Sequence, residues 1–155
     1  MDFRFASLYL FALSIIFGLT LDAHAHTTMP DTYISIPQLY KYCPSGECGL
    51  PMPCEGQTVK VIGHIDRINI LTRSRNPQLL QEKFFIKDNS GASVEVLVIA
   101  PDTAPVFEKI FDAQKQGKET ILVKGTVVGV DLPMMKSCHR GLRLELHSAG
   151  DISFQ

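Results

Sequence analysis

Four cysteines are the residues of this chain with the clearest capacity for chemistry. Cys43, Cys48 and Cys54 lie close together, and Cys138 follows much later in the sequence. Cysteines can form disulfides, bind zinc as thiolates or act as redox-active thiols. Their number is even and the CxxC spacing of most structural zinc sites is missing, so the sequence favours two disulfides. The spacing alone does not choose among the three possible pairings.

Methionine and histidine side chains near the cysteines raise metal binding as an alternative. Met52 and the pair Met134–Met135 lie in loops that carry cysteines, and His139 follows the last of the four. Thioether and imidazole ligands suit Cu(I), and thiolates with an imidazole suit zinc. Methionines in loops more commonly bury apolar surface. We therefore expect no metal and no other cofactor, with a copper or zinc protein as the alternative.

The sequence contains no recognisable catalytic motif. Its histidines have no serine or cysteine partner in a known arrangement, and no P-loop, Gly-x-Ser-x-Gly or His-Glu-x-x-His occurs. A nucleophile or a general base needs such a partner to activate it. We therefore expect that the protein is not an enzyme.

The first 25 residues have the composition of a signal peptide. Arg4 supplies a positive charge, residues 5–21 form an apolar run, and Ala23-His24-Ala25 has the small-x-small pattern of a cleavage site. No basic stop-transfer cluster follows the run, so we expect no stable membrane span after cleavage. These features predict a bacterial protein that is periplasmic or secreted, where paired cysteines are usually oxidised.

The charge balance of the chain does not favour a dedicated nucleic-acid-binding protein. The full sequence has 15 Lys plus Arg and 16 Asp plus Glu, of which residues 1–25 contain Arg4, Asp2 and Asp22. The mature chain would therefore carry 14 side chains of each sign. Proteins that bind nucleic acids usually have a basic surplus, because phosphate contacts dominate their affinity. A local basic patch is still compatible with this balance.

Two neighbouring stretches have the pattern of strands joined by a tight turn. Phe84 and Ile86 alternate with Phe85 and Lys87, and three valines alternate in the same way after a polar turn. Successive side chains of a strand point to opposite faces, so the alternation predicts one buried and one solvent-facing side. Leu97, in the second strand, is expected on the solvent-facing side.

Similar patterns predict three further strands and one helix. Prolines break residues 26–55 into an irregular lead-in, and Gly63 interrupts the first long strand, where we expect a bulge or a bend. Val106, Phe107 and Ile110 have the spacing of the apolar face of a helix. The expected elements are strands over 58–69, 120–130 and 142–146, the strand pair over 84–98, a helix over 104–116, and loops over 71–82 and 131–141.

The order strand, strand, strand, helix, strand, strand resembles the OB-fold, in particular the anticodon-binding-like OB domains. The residues that carry the resemblance are Val59-x-Val61-x-Gly63-x-Ile65, Phe84-x-Ile86-x-Asp88-x-x-Gly91 and Val123-x-Gly125-x-Val127. The resemblance implies an all-β fold, a five-stranded OB-type closed barrel with one α-helix between strands 3 and 4. The implied domains are the signal peptide over 1–25, the cysteine-containing lead-in over 26–55 and the OB-fold domain over 56–155.

The resemblance also implies a disulfide pairing. The first and fourth strands of an OB barrel pair antiparallel, which would bring the start of the first strand near the end of the fourth. Cys54 precedes the first strand and Cys138 follows the fourth. A Cys54–Cys138 disulfide is therefore implied, and Cys43–Cys48 would close a small loop.

The resemblance further implies where a ligand would bind. In OB domains the ligand lies across the second and third strands, between the loops that join strands 1–2 and 4–5. An outward phenylalanine flanked by cations also suits base stacking and phosphate contacts. The implied ligand-binding face consists of Phe85, Lys87, Leu97, Arg67, Arg73, Arg75, Lys136 and Arg140. We expect a non-catalytic binding module for a protein or a small polyanionic partner, and the alternatives are a metal-binding OB protein and a single-stranded nucleic-acid-binding OB domain.

Overall fold

The computed structural model of the chain describes residues 28–101 and 103–155. The predicted signal peptide over residues 1–25 lies outside the described residues. The helices are α1 (Ile36–Tyr42) and α2 (Ala104–Lys115), and a short 3-10 helix covers Ala149–Asp151. The strands are β1 (Tyr33–Ser35), β2 (Gly46–Glu47), β3 (Thr58–Leu71), β4 (Lys83–Lys87), β5 (Ser93–Val98), β6 (Thr120–Pro133), β7 (Cys138–Leu146) and β8 (Ile152–Phe154).

Five of the strands form a ring. β3 pairs antiparallel with β4, and β4 pairs antiparallel with β5. β5 runs parallel to β7, β7 pairs antiparallel with β6, and β6 returns to pair antiparallel with β3. β1 adds to β3 in parallel, and β8 adds to β6. The fold is therefore mostly β, as the alternating patterns predict, but it has two α-helices and not the single helix expected.

The interior of the ring is apolar. Phe84 and Ile86 of β4 are buried, and so are Val94, Val96 and Val98 of β5. Every second residue in the first half of β3 is buried as well. The predicted inner faces of these three strands are confirmed. Burying one such side chain stabilises the fold by about 1.5–3 kcal/mol relative to leaving it exposed, so these strands contribute much of the stability.

The sequence predicted an irregularity of β3 at Gly63, but the irregularity lies further along the strand. Pairing with β6 is regular at Gly63, and a Cβ there would lie 3.1 Å from the Lys87 carbonyl oxygen and 3.3 Å from Ile36 Cδ1. The glycine therefore permits close packing of β4 and α1 onto β3. The register against β4 shifts between Ile65 and Ile70, which marks a bulge.

The lead-in is more regular than the sequence predicted. Ser35 Oγ accepts a hydrogen bond from the Gln38 backbone N–H, and the Gln38 side chain accepts one from the Ser35 N–H. This capping box starts α1, and Pro37 lies in the first turn, where a missing N–H removes no helical hydrogen bond. Ile36 and Leu39 are fully buried and attach α1 to the core.

α2 packs on the core through the apolar face that the sequence predicted. Val106, Phe107 and Ile110 are buried, and the ring of Phe107 meets that of Phe84 edge-to-face at a centroid distance of 6.3 Å. Gly117 follows the helix with a positive φ of 73°, a conformation that favours glycine after a helix. Within the described ranges, neither helix has the length and apolarity needed to cross a membrane.

The disulfide pairing differs from the one that the OB resemblance implied. The pairs are Cys43–Cys54 and Cys48–Cys138, with Cα–Cα distances of 5.5 and 5.7 Å. β2 pairs with β7, which brings Cys48 beside Cys138, whereas Cys43 and Cys54 are fully buried in the core. The expectation of two disulfides is confirmed, and the Cys54–Cys138 and Cys43–Cys48 pairings are wrong. Two disulfides indicate an oxidising, extracytoplasmic environment.

Candidate binding groove

The β6–β7 hairpin is longer than the sequence predicted. Strand pairing continues as far as Pro133, which lies opposite Cys138. The Met134 backbone N–H donates to the Ser137 carbonyl oxygen at 2.8 Å and closes the turn. The loop predicted over 131–141 is therefore mostly strand. The prediction was wrong for two reasons. The segment contains residues that commonly form turns, and a hairpin that extends past the core needs no alternation of apolar and polar residues.

Residues 46–55, here termed the strap, hold one face of this hairpin. Strap residues of β2 pair with β7, and Cys48 is bonded to Cys138. The register places Asp131 opposite Arg140 and Pro133 opposite Cys138, so these four residues share a face. The Gly49 N–H donates to the Asp131 carboxylate at 3.4 Å. The strap therefore contacts the hairpin on this face, and the opposite face, which carries Leu132, is here termed the open face.

Arg140 joins the strap to the hairpin. Its Nη2 donates to Glu55 Oε1 at 2.6 Å, and its Nη1 donates to Asp131 Oδ1 at 2.8 Å. A Cβ at Gly129 would lie 2.6 Å from the Arg140 guanidinium carbon, so only glycine leaves space for this side chain. Arg140 was predicted on the ligand-binding face, but it is largely buried between two carboxylates on the strap side.

The two carboxylates that bind Arg140 have lowered pKa values. Burial raises the pKa of Glu55, but hydrogen bonds from Arg140, the Met52 N–H and the Gly129 N–H lower it further, and the net shift is downward. For Asp131 the hydrogen bond from Arg140 is the largest influence, and it lowers the pKa despite partial desolvation. Both carboxylates are therefore stabilised in the charged form in the folded protein.

Acidification is expected to weaken this junction. Both carboxyl groups titrate lower in the folded chain than in the unfolded one, so the unfolded chain binds more protons as the pH falls below about 4.5. Stability that is fully present at neutral pH is therefore lost progressively as the pH falls from the ordinary carboxyl range through the lowered pKa values of the folded chain. Thermal unfolding across this range should show the loss. Arg140→Met should unfold several degrees lower at neutral pH and lose part of that pH dependence.

The matched control for this prediction is Arg67→Met. Arg67 forms an ion pair of similar length with Glu119, at 2.6 Å, but both side chains are mostly exposed. Exposed pairs contribute little to stability, so this variant should keep the wild-type unfolding profile. If the unfolding profile of Arg140→Met ran parallel to that of the wild type at every pH, the Arg140 ion pairs would not be the source of the pH dependence.

The open face of the hairpin continues into a groove on the outside of the ring. Leu132 lies over Gly141, where a Cβ would come within 3.0 Å of Leu132 Cδ1. The depression beside it, here termed the outer groove, has a volume of about 230 Å³. Its lining includes Tyr40, Phe85, Glu95, Val130, Leu132 and Arg143. They come from α1, β4, β5, β6 and β7, so four of the five strands of the ring position this groove.

Two aromatic side chains, Tyr40 and Phe85, line the outer groove. The Tyr40 hydroxyl donates to the Ser93 carbonyl oxygen at 2.6 Å, and burial raises the pKa of Tyr40. Lys83 Nζ lies 5.9 Å from the centroid of the half-buried Phe85 ring and 2.7 Å from Glu95 Oε2. These contacts fix both rings before any ligand arrives.

Not all of the predicted ligand-binding residues line this groove. Phe85 lines it, and Lys136 is exposed in the hairpin turn beside it. Lys87 is exposed but lies on another part of the surface, 3.8 Å from the Asp66 carboxylate. Leu97 is fully buried, so the expectation that it faces solvent is wrong. Sheet residues on the outer side can be covered by the long charged side chains of neighbouring strands.

The three arginines predicted on the ligand-binding face, at or after the end of the first strand, are engaged within the chain. Arg67 pairs with Glu119. Arg73 donates to two carbonyl oxygens of its own loop at 3.1 and 2.7 Å. Arg75 lies over the Phe111 ring at 5.1 Å from its centroid. A polyanion would have to compete with each of these contacts.

A larger depression of about 510 Å³ lies between β3, the β4–β5 turn and the start of β6. It is lined by His64 and by the Arg67–Glu119 and Lys87–Asp66 pairs. Both of its cationic side chains are therefore already paired with carboxylates, and Asp88 adds a third carboxylate to the lining. The smaller outer groove is the stronger candidate because its apolar lining continues onto an exposed apolar hairpin.

Sequence reasoning missed most of the outer groove. Val130 and Leu132 lie on one face of β6, but two such positions before Pro133 are too few to indicate that the strand continues past residue 130. Tyr40 carried no signal either, because its place depends on how α1 packs.

Metal ligands are not grouped in the described parts of the chain. All four cysteines are in disulfides, and no cluster of three or more His, Cys, Asp or Glu residues that could hold a metal ion occurs within 28–101 and 103–155. Comparison of the chain with protein-family models, curated proteins and solved structures gives no match. Function has to be inferred from the contacts and surfaces of the chain itself.

Proposed function

We propose that this protein is a non-catalytic periplasmic binding module with an OB-type barrel. Its outer groove, extended by the tip of the β6–β7 hairpin, would hold an apolar segment of a protein partner. The pairing order of the five-stranded ring supports the OB assignment, because an OB barrel closes through pairing of its first and fourth strands. The groove lies on the strands and beside the 4–5 connection that bind ligands in that fold.

The observation that carries the proposal is the exposed apolar surface at the end of β6 and in the turn that follows it. Leu132, Met134 and Met135 are 51%, 63% and 102% exposed. Leu132 also lines the outer groove, and Met134 and Met135 follow it in the turn directly after the end of β6. Contiguous exposed apolar surface of this kind marks interaction sites in soluble proteins.

The rigidity of the hairpin also supports a docking role. The Cys48–Cys138 disulfide and the Arg140 ion pairs hold the strap against the opposite face. A surface that is ordered before binding loses less conformational entropy when a partner docks. A polyanionic partner is less favoured than an apolar one, because the nearby cation Arg140 is largely buried between Glu55 and Asp131.

A random-peptide phage library displayed against the oxidised protein tests the proposal. The selected peptides are expected to be rich in aliphatic and aromatic residues. Leu132→Ser should weaken their binding by about tenfold or more, since burying a leucine is worth roughly 1.5–3 kcal/mol.

The matched control is Ile68→Ser, because Ile68 is 86% exposed but lies outside the outer groove. Its affinity for the selected peptides should equal that of the wild type. Equal weakening by both substitutions would contradict the proposed groove. Selection of acidic peptides, together with salt-sensitive retention on heparin, would instead favour the polyanionic partner.

A further inference from the structure

The two methionines at the tip of the hairpin are not required by the fold. Met135 and Lys136 are the central residues of the turn that Met134 and Ser137 close. Within the described residues only glycines have a positive φ, so backbone conformation does not dictate the residue at Met135. Neither methionine is part of the buried core. Hairpin turns usually carry Gly, Asn or Asp, so an adjacent pair of long thioethers needs another reason.

Exposure separates these methionines from the others that the structure describes. Met52 is 4% exposed, and Met29 is partly buried against the core. Because no cysteine in the chain is a free thiol, the thioethers at the hairpin tip are the most accessible oxidisable sulfur atoms among the described residues. Leucine would provide similar apolar area, but only methionine can be converted reversibly into a polar group.

We propose that Met134 and Met135 form an oxidation site for peroxides, and that their oxidation switches off docking at the hairpin tip. The regulatory part rests on the proposed function. A thioether sulfur attacks one peroxide oxygen, the S–O bond forms as the O–O bond breaks, and water leaves after proton transfer. The sulfur is oxidised by two electrons to a sulfoxide, and the peroxide is reduced.

The expected consequence is loss of binding without loss of the fold. A sulfoxide is polar, so docking against an apolar segment would bury an oxygen without a hydrogen-bond partner. The backbone bonds between Met134 and Ser137 involve no sulfur and stay intact. Methionine sulfoxide reductases reverse the modification, which makes the switch reversible in principle.

Graded hydrogen peroxide treatment followed by peptide mass mapping tests the site. Met134 and Met135 should each gain one oxygen at least about tenfold faster than Met52. Circular dichroism and the unfolding midpoint should stay at their untreated values. Oxidation of Met52 at the rate of the tip methionines would overturn the proposed site.

A binding arm separates the switch from the proposed function. Oxidised protein should lose affinity for a peptide selected from the library by about tenfold, and a Met134→Leu/Met135→Leu variant should bind that peptide with or without peroxide. Unchanged affinity after selective oxidation would overturn the switch, while weakening by Leu132→Ser would still support the groove. If no peptide is selected, the proposed function and its regulation both fail, and the mass mapping alone decides the oxidation site.

Discussion

Replacing Cys48 and Cys138 together with alanine is expected to lower the free energy of unfolding by about 4.5 kcal/mol. The two residues are separated by 90 positions, so the disulfide removes much of the conformational freedom of the unfolded chain. Equilibrium urea denaturation of the oxidised variant measures the loss. Because β2 is only two residues long, the strap should also detach from β7.

The Cys43→Ala/Cys54→Ala double variant is the comparison for this prediction. Its loop spans 11 positions, so the chain-entropy contribution falls to about 3 kcal/mol. The two sulfurs are fully buried, however, and their removal adds the cost of a core cavity. A dithiothreitol titration should reduce the exposed Cys48–Cys138 disulfide before the buried one. A tryptic peptide that joins Cys54 to Cys138 would contradict the observed pairing.

The strands of the ring were predictable because each has one apolar face. The alternation of Val59, Val61, Phe84 and Ile86 identifies both the strands and their buried sides. The hairpin beyond residue 130 was not predictable in the same way. It extends past the core, so no buried face imposes a pattern, and Pro133 resembles a turn residue.

The disulfide pairing could not be predicted from the sequence for a related reason. It depends on the pairing of Gly46–Glu47 with β7, and a strand of two residues has no periodicity to detect. The residues that carry the OB resemblance all follow the strap in the sequence, so the resemblance gives no information on where the strap lies. Cys48 and Cys138 are brought together by the strap.

Most of the candidate site residues are cations, and the sequence does not reveal which groups a cation contacts in the folded chain. Arg73, Arg75 and Arg140 look free in the sequence, but a loop carbonyl, an aromatic ring and a carboxylate pair hold them in the folded chain. The prediction for Leu97 was wrong for another reason: a residue on the outer side of a sheet is not always exposed, and Leu97 is fully buried. Phe85 lies on the outer side of β4 and is half-buried, as its alternation with the buried Phe84 predicted.

Phe84→Ala is expected to lower the free energy of unfolding by about 3–5 kcal/mol. The ring is fully buried, and it packs edge-to-face on Phe107 at an interplanar angle of 85°. Its removal leaves a cavity between β4 and α2 that the surrounding side chains can fill only in part. Chemical denaturation at neutral pH provides the measurement.

Phe85→Ala supplies a control at the next position of the same strand. Phe85 faces the outer groove and is half-buried, so its loss should cost only about 1 kcal/mol. The contrast depends on strand register, because a slip of one residue would move Phe85 into the core and Phe84 into the groove. Similar losses for the two variants, or a larger loss for Phe85→Ala, would show that the two faces of β4 are wrongly assigned. Since the outer groove is built on that face, the same pair of measurements also tests whether Phe85 is available to a ligand.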